Sequence, residues 1–300
     1  MKNHILGLVG GTGRQIAVVV MGLAAGAWGG CARPDVHVEI PSGVDAEWTE
    51  QGFAEVDDEL MHCLQRSLDA ARELKTFRAN FLRQERLGAF VRELHPVEDI
   101  LAEYRDEPFS VRFSWRGDGS EYRQCVYVDG ANGNMVLLLP RKGLFGLPAS
   151  VQKYPAQFAV EFHKARNPIT DFGPRRMMER IIDRIEKAKA HGPVLVREGP
   201  TTEVGPAREP CRHFVLRYPK GDEFACKLQD LYLHKDTNLP VATYLWLTDG
   251  QERSPATLDG MYVYAGLEPN VSLTDENFEI TEAEAKKGSG GKSPSRRASK

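Results

Sequence analysis

The stretch Phe109-Ser-Val-Arg-Phe-Ser-Trp115 alternates, with Phe109, Val111, Phe113 and Trp115 on one face and Ser110, Arg112 and Ser114 on the other. Successive side chains of a strand point to opposite faces, and an antiparallel sheet with one solvated face produces this pattern. Gly117-Asp-Gly119 turns the chain and Tyr122 to Asp129 runs back. Gly130-Ala-Asn-Gly133 turns it again before Met135 to Leu139. Adjacent strands joined by short turns make a meander. Upstream, Thr76 to Arg86 also alternates, with Phe77, Ala79 and Phe81 on one side. Leu94 to Tyr104 is its expected partner, irregular at its start because of Pro96. Downstream, Cys211–Tyr218 and Phe224–His234 flank Pro219-Lys-Gly-Asp222 as a hairpin, and strands at Val241–Thr248 and Met261–Ala265 follow. A loop rich in Gly and Pro is expected over 199–210.

Two segments change to a helical period. Phe53, Val56, Leu60, Leu64, Leu68, Ala71 and Leu74 fall three or four apart and form one apolar stripe. Glu55, Asp58, Glu59, Arg66, Asp69 and Arg72 take the opposite face, so Asp57-Asp58-Glu59 reads as a solvated charge run. A second helix is expected from about Pro174 to Ala190, because Pro suits a first helical turn. Its buried stripe is Met178, Ile181, Ile182, Ile185 and Ala188, with Gly192 as its stop.

The N-terminus carries an export signal. Ile16 to Gly30 contains no charge, Lys2 and Arg14 are the only charged side chains before it, and small residues lead to Cys31. A basic region, an apolar core and a small-residue cut site mark a secretory signal. A Cys directly after the small residues is where a lipoprotein signal is cut and lipidated, although Trp28 stands where such signals usually carry Leu. Cleavage after Ala27 and an uncleaved anchor are the alternatives. The expected organisation is a signal peptide over 1–30, lipidated Cys31 with a tether over 31–52, one folded domain over 53–280 and a disordered basic tail over 281–300. The protein is therefore expected to be exported to the cell envelope or periplasm and held at a membrane.

Composition narrows the function. The chain is 41% apolar and 27% charged, enough apolar residues for a real core. Residues 1–30 carry two basic and no acidic groups, and 281–300 carry six basic and two acidic, leaving 31 basic against 40 acidic in the body. An acidic body argues against a nucleic-acid partner, since binding phosphates needs clustered Lys and Arg. The five cysteines lie at 31, 63, 125, 211 and 226, without Cys-x-x-Cys and without zinc-site spacing, so no metal is expected. With Cys31 assigned to lipid, four remain. Cys211 and Cys226 flank the hairpin and are expected to face each other as a disulfide. Two buried thiols are the alternative, and the pairing of Cys63 and Cys125 stays open.

Catalytic motifs do not accumulate. There is no Gly-x-Ser-x-Gly elbow, no His-Glu-x-x-His and no dinucleotide fingerprint. Gly288-Ser-Gly-Gly-Lys-Ser293 echoes a phosphate loop but no strand precedes it. Cys211-Arg-His213 puts a Cys and a His on one strand face, which the expected disulfide explains better than a nucleophile and base do. Asn270-Val-Ser272 matches a glycosylation acceptor. No enzyme and no cofactor are expected.

Several of the alternating stretches carry shared wording. Phe77-Arg-Ala-Asn-Phe81, Arg83-Gln-Glu-Arg86, Glu107-Pro-Phe-Ser-Val111, Tyr127-Val-Asp-Gly130, Asn167-Pro-Ile-Thr170 with Gly173, Leu239-Pro-Val241, Tyr262-Val-Tyr264 and Asn277-Phe-Glu279 occur in that order. Together they resemble the bacterial domain-of-unknown-function family 1571 over roughly residues 55–280. That family looks related to the LolA-like fold of periplasmic lipoprotein carriers. The resemblance implies an α+β fold: a strongly curved antiparallel sheet, an incomplete barrel covered by helices, around an apolar cavity for acyl chains. In the carriers a buried Arg ties sheet to lid, and Arg78, Arg83 and Arg112 stand on strands here without a clear match to that role.

The residues expected to line the concave face are Phe77, Phe81, Phe109, Val111, Phe113 and Trp115. The expected ligand is a lipid, an acyl chain or another apolar molecule. The alternative is that these rings fill a core, leaving a non-catalytic envelope scaffold or a protein-binding lipoprotein.

Overall fold

Among the described residues, fourteen antiparallel strands form one sheet that does not close on itself. A computed structural model describes residues 52–117, 120–142, 149–221, 224, 226–250 and 253–281. The signal segment, Cys31, most of the tether and the tail beyond Thr281 lie outside the described residues.

In chain order, β1 (Ala54–Glu55) precedes α1 (Asp58–Arg72), then β2 (Thr76–Leu87) and β3 (Glu93–Leu94). The meander follows as β4 (Glu98–Arg105), β5 (Ser110–Trp115), β6 (Tyr122–Val128), β7 (Met135–Pro140) and β8 (Gln152–Pro155). A crossing segment holds the one-turn α2 (Phe158–Glu161), a 3-10 turn (Ile169–Asp171) and α3 (Pro174–Lys189). Then come β9 (Leu195–Glu198), β10 (Thr202–Val204), β11 (Glu209–Arg217), β12 (Leu228–His234), β13 (Pro240–Trp246) and β14 (Leu258–Pro269).

The spatial order is β1-β9-β11-β12-β13-β14-β2-β4-β5-β6-β7-β8, with β10 pairing β11 and β3 pairing β2. Two consequences follow from that order. The last strand, β14, lies beside β2, so the late hairpins extend the sheet begun by the meander. The chain also leaves the sheet at the β8 edge and re-enters near the other edge at β9, so residues 156–194 must cross one face. That crossing carries α3, and α3 packs with α1.

The face under the crossing is concave. Phe81 on β2 and Phe113 on β5 are separated by β4, yet their ring centroids stand 6.0 Å apart. Strands two apart are about 9–10 Å from each other across a flat sheet. The rings converge over Ala102 of β4, which pairs with Phe113 and leaves room for them.

Local chemistry explains the helices. The Asp57 side chain accepts from the Leu60 N–H at 2.9 Å, which caps α1, and Asp58 and Glu59 sit in its first turn. The acidic run is therefore a helix start, where carboxylates favour the positive end of the dipole. Phe53 and Val56 fall before α1 rather than within it. For α3, Gly173 takes φ 115° at the cap and Pro174 starts the first turn. A Cβ at Gly173 would meet the Tyr104 ring at 3.5 Å, an ordinary contact distance, so it is the backbone rather than space that favours glycine there.

Three further expectations are corrected. The Gly/Pro-rich loop contains β10, and β8 and β9 were not legible from alternation. The second strand of the late hairpin starts at Leu228, not Phe224. The expected Cys211–Cys226 disulfide is absent, and all four described cysteines are free and buried. Register is the physical reason. Cys211 pairs with His234 and Arg217 with Leu228, so the turn is longer than Pro219–Asp222 and Cys226 precedes β12. Cys211 packs on the outer face and Cys226 in the concave core.

Candidate functional site

The concave face gathers the six expected residues. Phe77, Phe81, Val111 and Phe113 are buried in the main core, and Phe109 and Trp115 pack against it half-buried. Direct pairing places Phe77 beside Tyr104, and their rings stack at 4.7 Å. Phe109 meets Tyr104 and Tyr127 edge-on at 5.7 and 6.0 Å. Trp115 meets Phe113 edge-on at 6.0 Å and donates through Nε1 to Glu98 Oε1 at 2.8 Å.

The sequence did not reveal what fills the bowl. Phe172 stands in the crossing segment between the 3-10 turn and α3. Its ring lies 4.7 Å from Phe113, 5.1 Å from Phe81, 5.7 Å from Tyr264, 6.0 Å from Phe77 and 6.4 Å from Tyr104. The two nearest contacts are edge-to-face, the arrangement that aromatic quadrupoles favour. Phe172 is thus a plug delivered by irregular chain into an aromatic face built by strands. No period marks such a residue; its only sequence signal is a lone ring between Pro168 and Pro174.

Polar ties hold the plug at both ends. On its N-terminal side, the Arg166 backbone N–H donates to Glu85 Oε2 at 3.3 Å. The Arg166 guanidinium donates to the Asp259 carbonyl at 3.0 Å and pairs closely with its carboxylate. Arg92 donates to the other Asp259 oxygen at 2.6 Å. Tyr262 donates to Glu85 Oε1 at 2.6 Å, and Asn167 donates to the Tyr262 hydroxyl at 3.4 Å. Arg83 sits beside this group, donating through Nε to Glu98 Oε2 at 2.6 Å. On the other side, Arg180 of α3 donates to the Asp171 carbonyl at 2.7 Å.

Asp259 is fully buried, so its two arginines are what make its charge tolerable there. Burial works against the Arg83 cation, but Glu98 and Glu85 more than offset that and raise its pKa. Burial pushes the Tyr262 phenol far up, with Glu85 adding to it, so it stays a neutral donor. The tie between crossing segment and sheet is made by Arg166, which belongs to the segment, rather than by Arg78, Arg83 or Arg112. Three strings quoted from the sequence meet here: Arg83-Gln-Glu-Arg86, the Asn167 segment and Tyr262-Val-Tyr264.

The group is a network of paired charges and hydroxyls. Each carboxylate is held by a cation or a hydroxyl. Among the described residues there is no cluster of three or more His, Cys, Asp and Glu suited to a metal. The Cys211–His213 pair does not form a nucleophile and base. Burial pushes the Cys211 thiol up to about 12, and His213 instead contacts Asp230 at 3.0 Å.

The sequence pattern of the family described as protein of unknown function DUF1571 matches residues 74–286. The chain belongs to that family. No curated protein sequence matches it significantly. Among solved structures, MucB is similar with 15% identity and a TM-score of 0.45, over 75% of this chain and 64% of MucB. The chain thus spans less than two thirds of MucB. The Mycobacterium tuberculosis lipoprotein LppX is similar with 10% identity and a TM-score of 0.35, over 73% of this chain and all of that one (100%). A LolA superfamily protein from Nitrosomonas europaea is similar with 8% identity and a TM-score of 0.25, over 73% of this chain and 97% of that one. The α+β, unclosed antiparallel architecture that the family resemblance implies is the one found, with strands far outnumbering helices among the described residues.

Proposed function

We propose that this DUF1571 domain is a membrane-tethered, extracytoplasmic binding domain without catalytic activity, whose concave face takes a lipid or other apolar ligand. The observation that carries the reading is Phe172. One ring from irregular chain contacts five rings from strands, at centroid distances of 4.7 to 6.4 Å. An acyl chain has the same apolar character and can take its place if the segment swings out. Gly173, whose φ of 115° few other residues tolerate, follows the ring directly. Aromatic walls with few polar groups are what apolar ligand sites are made of.

Native mass spectrometry of protein purified from membranes tests the reading, with a co-purified lipid as the expected result. Phe172→Ala sharpens it. Removing a core ring costs about 3–5 kcal/mol where the site cannot collapse. On this reading the loss falls below that range and an apolar fluorescent probe binds more tightly. A full loss of stability with no probe binding, in parent or variant, overturns it.

A second reading has an observation of its own. The rings are at contact distances, so the face can equally be a filled core, leaving an envelope scaffold with a protein partner. That reading expects the full stability loss and no lipid. For the tether, Cys31→Ser is expected to release the protein into the soluble fraction. Unchanged membrane association with the apolar segment retained in the mature mass would identify an uncleaved anchor instead.

A further inference from the structure

We infer that the ligand of the concave face is an anionic amphiphile whose acidic head, a carboxylate or phosphate, is held by Arg184. The inference rests on the apolar-ligand reading above and adds the chemistry of the head.

Arg184 lies on α3 between Ile181 and Ile185, both of which point into the main core. Its guanidinium enters that core over β12. Nη1 donates to Gln229 Oε1 at 2.8 Å and approaches Cys226 Sγ at 3.7 Å. The guanidinium carbon stands 5.7 Å from the Tyr218 ring centroid. Every one of these partners is neutral. Arg184 makes no salt bridge with any described carboxylate, whereas the neighbouring Arg166 is paired with Asp259. A half-buried cation without a counter-charge is costly.

The unused donors have a definite shape. The hydrogen bonds of good geometry run from Nη1, and the Tyr218 hydroxyl also interacts with the guanidinium. Nε–H and Nη2–H, the parallel pair that grips a carboxylate or phosphate bidentately, meet no carboxylate among the described residues. The partners on Nη1 are themselves fixed. Tyr218 donates to the same Gln229 oxygen at 2.7 Å, and Gln229 donates to Thr243 at 2.9 Å. The side chain is therefore pre-oriented rather than free to follow solvent.

The position suits an amphiphile. Tyr262 lies within electrostatic reach of Arg184, and its ring stacks on Phe81 at 6.4 Å. Ile181 and Ile185, which flank Arg184 on α3, belong to the same buried cluster as Phe81, Phe113 and Phe172. A head held at Arg184 sends its tail toward the space occupied by Phe172.

Palmitic acid and its methyl ester, titrated into the full chain by calorimetry, test the inference, with inorganic phosphate as a third ligand. Palmitate is expected to bind roughly tenfold or more tightly than the ester, the weight of a charge-assisted bidentate contact. Arg184→Gln is expected to abolish that preference while leaving ester binding unchanged. Because it removes a half-buried charge with no carboxylate partner among the described residues, the variant should melt no lower than the parent. Arg184→Lys keeps the charge and loses the fork, so it should retain only part of the preference. Equal binding of acid and ester overturns the inference and leaves the apolar-ligand reading standing. Binding of neither overturns both. Phosphate binding as tightly as palmitate shows a bare anion site and overturns the amphiphile.

Discussion

The two faces of the sheet across β11 to β14 and β2 are both buried, and they are built differently. The concave face is closed from outside its own strands, by α1, α3 and the Phe172 plug. The outer face over β11 to β13 is tied together by neighbouring strands. Asp230 of β12 is its centre. One carboxylate oxygen contacts His213 of β11 at 3.0 Å. The other accepts from Trp246 of β13 at 2.5 Å and from Arg253 at 3.0 Å. His213 stacks on Tyr232 at 4.4 Å, and Tyr244 stacks on Trp246 at 6.2 Å. Those groups lie in a fixed ladder register, with Val215 opposite Asp230 and Asp230 opposite Tyr244. A buried carboxylate with donors from several sides cannot be exchanged for a ligand without stranding a charge. An aromatic plug on a loop can be exchanged, because what replaces it need only be apolar. The contrast places rigidity on the outer face and adaptability on the concave one.

The largest expected effect breaks the rigid side. Asp230→Ala strands Arg253 and the Trp246 N–H, and loss of one partner of a buried pair costs about 3–5 kcal/mol. Denaturant unfolding should show a loss in that range, larger than for Phe172→Ala, with probe binding on the concave face preserved in whatever fraction remains folded. A loss below about 1 kcal/mol would erase the distinction between the faces.

Phe113 probes the concave wall itself. It is 7% exposed and touches Phe81, Trp115 and Phe172. If the face is filled core, Phe113→Ala costs about 3–5 kcal/mol. If the plug exchanges with ligand, the variant loses probe affinity at a smaller cost, because Phe172 can shift into the gap. Ser114→Ala, on the opposite face of the same strand, should stay within about 0.5 kcal/mol.

Acid sensitivity should come from the rigid side. Burial works against the Asp230 carboxylate, but His213, Arg253 and Trp246 outweigh it and hold the group below its ordinary 3.8. A depressed carboxylate contributes stability that is present above 3.8 and lost as pH falls through its folded value. Melting temperatures between pH 5 and pH 2 should fall in the parent, and an Asp230→Asn variant should lack that component of the fall. Parallel curves would locate the acid response elsewhere.

The smallest effect concerns the thiols. Burial pushes Cys125 and Cys211 up to about 12, so both stay protonated in the folded protein. Alkylation at pH 8 is expected to be slow until denaturant is added, with four free thiols then recovered in the described region. A Cys211–Cys226 peptide in a non-reducing map would contradict the β11–β12 register.

Some of this was written into the chain itself. Alternation in Phe109–Trp115 and Thr76–Arg86 assigned strands and the inward face of each, because a pleated strand leaves a side chain only two directions. The α3 stripe, with Pro174 at its start, was legible for a similar reason, since helix geometry links residues three and four apart. Those local rules put Phe77, Phe81, Phe109, Val111, Phe113 and Trp115 on inward faces, where Tyr104, Tyr127 and Tyr264 join them. The rules could not say what those residues meet. Phe172 contacts five rings on four strands from a segment with no period, and only the crossing from β8 to β9 brings it there. Register was equally invisible. A strand pattern survives a shift of the hairpin centre, so the expected Cys211–Cys226 contact could fail while every strand around it stood. The Arg184 charge, which meets no carboxylate among the described residues, lay furthest from the sequence. A lone Arg on an amphipathic helix looks solvated until the sheet opposite supplies Gln229, Tyr218 and Cys226 instead of a carboxylate. Periodicity is a property of neighbouring residues, whereas closure, register and charge balance depend on parts of the chain that meet only in three dimensions.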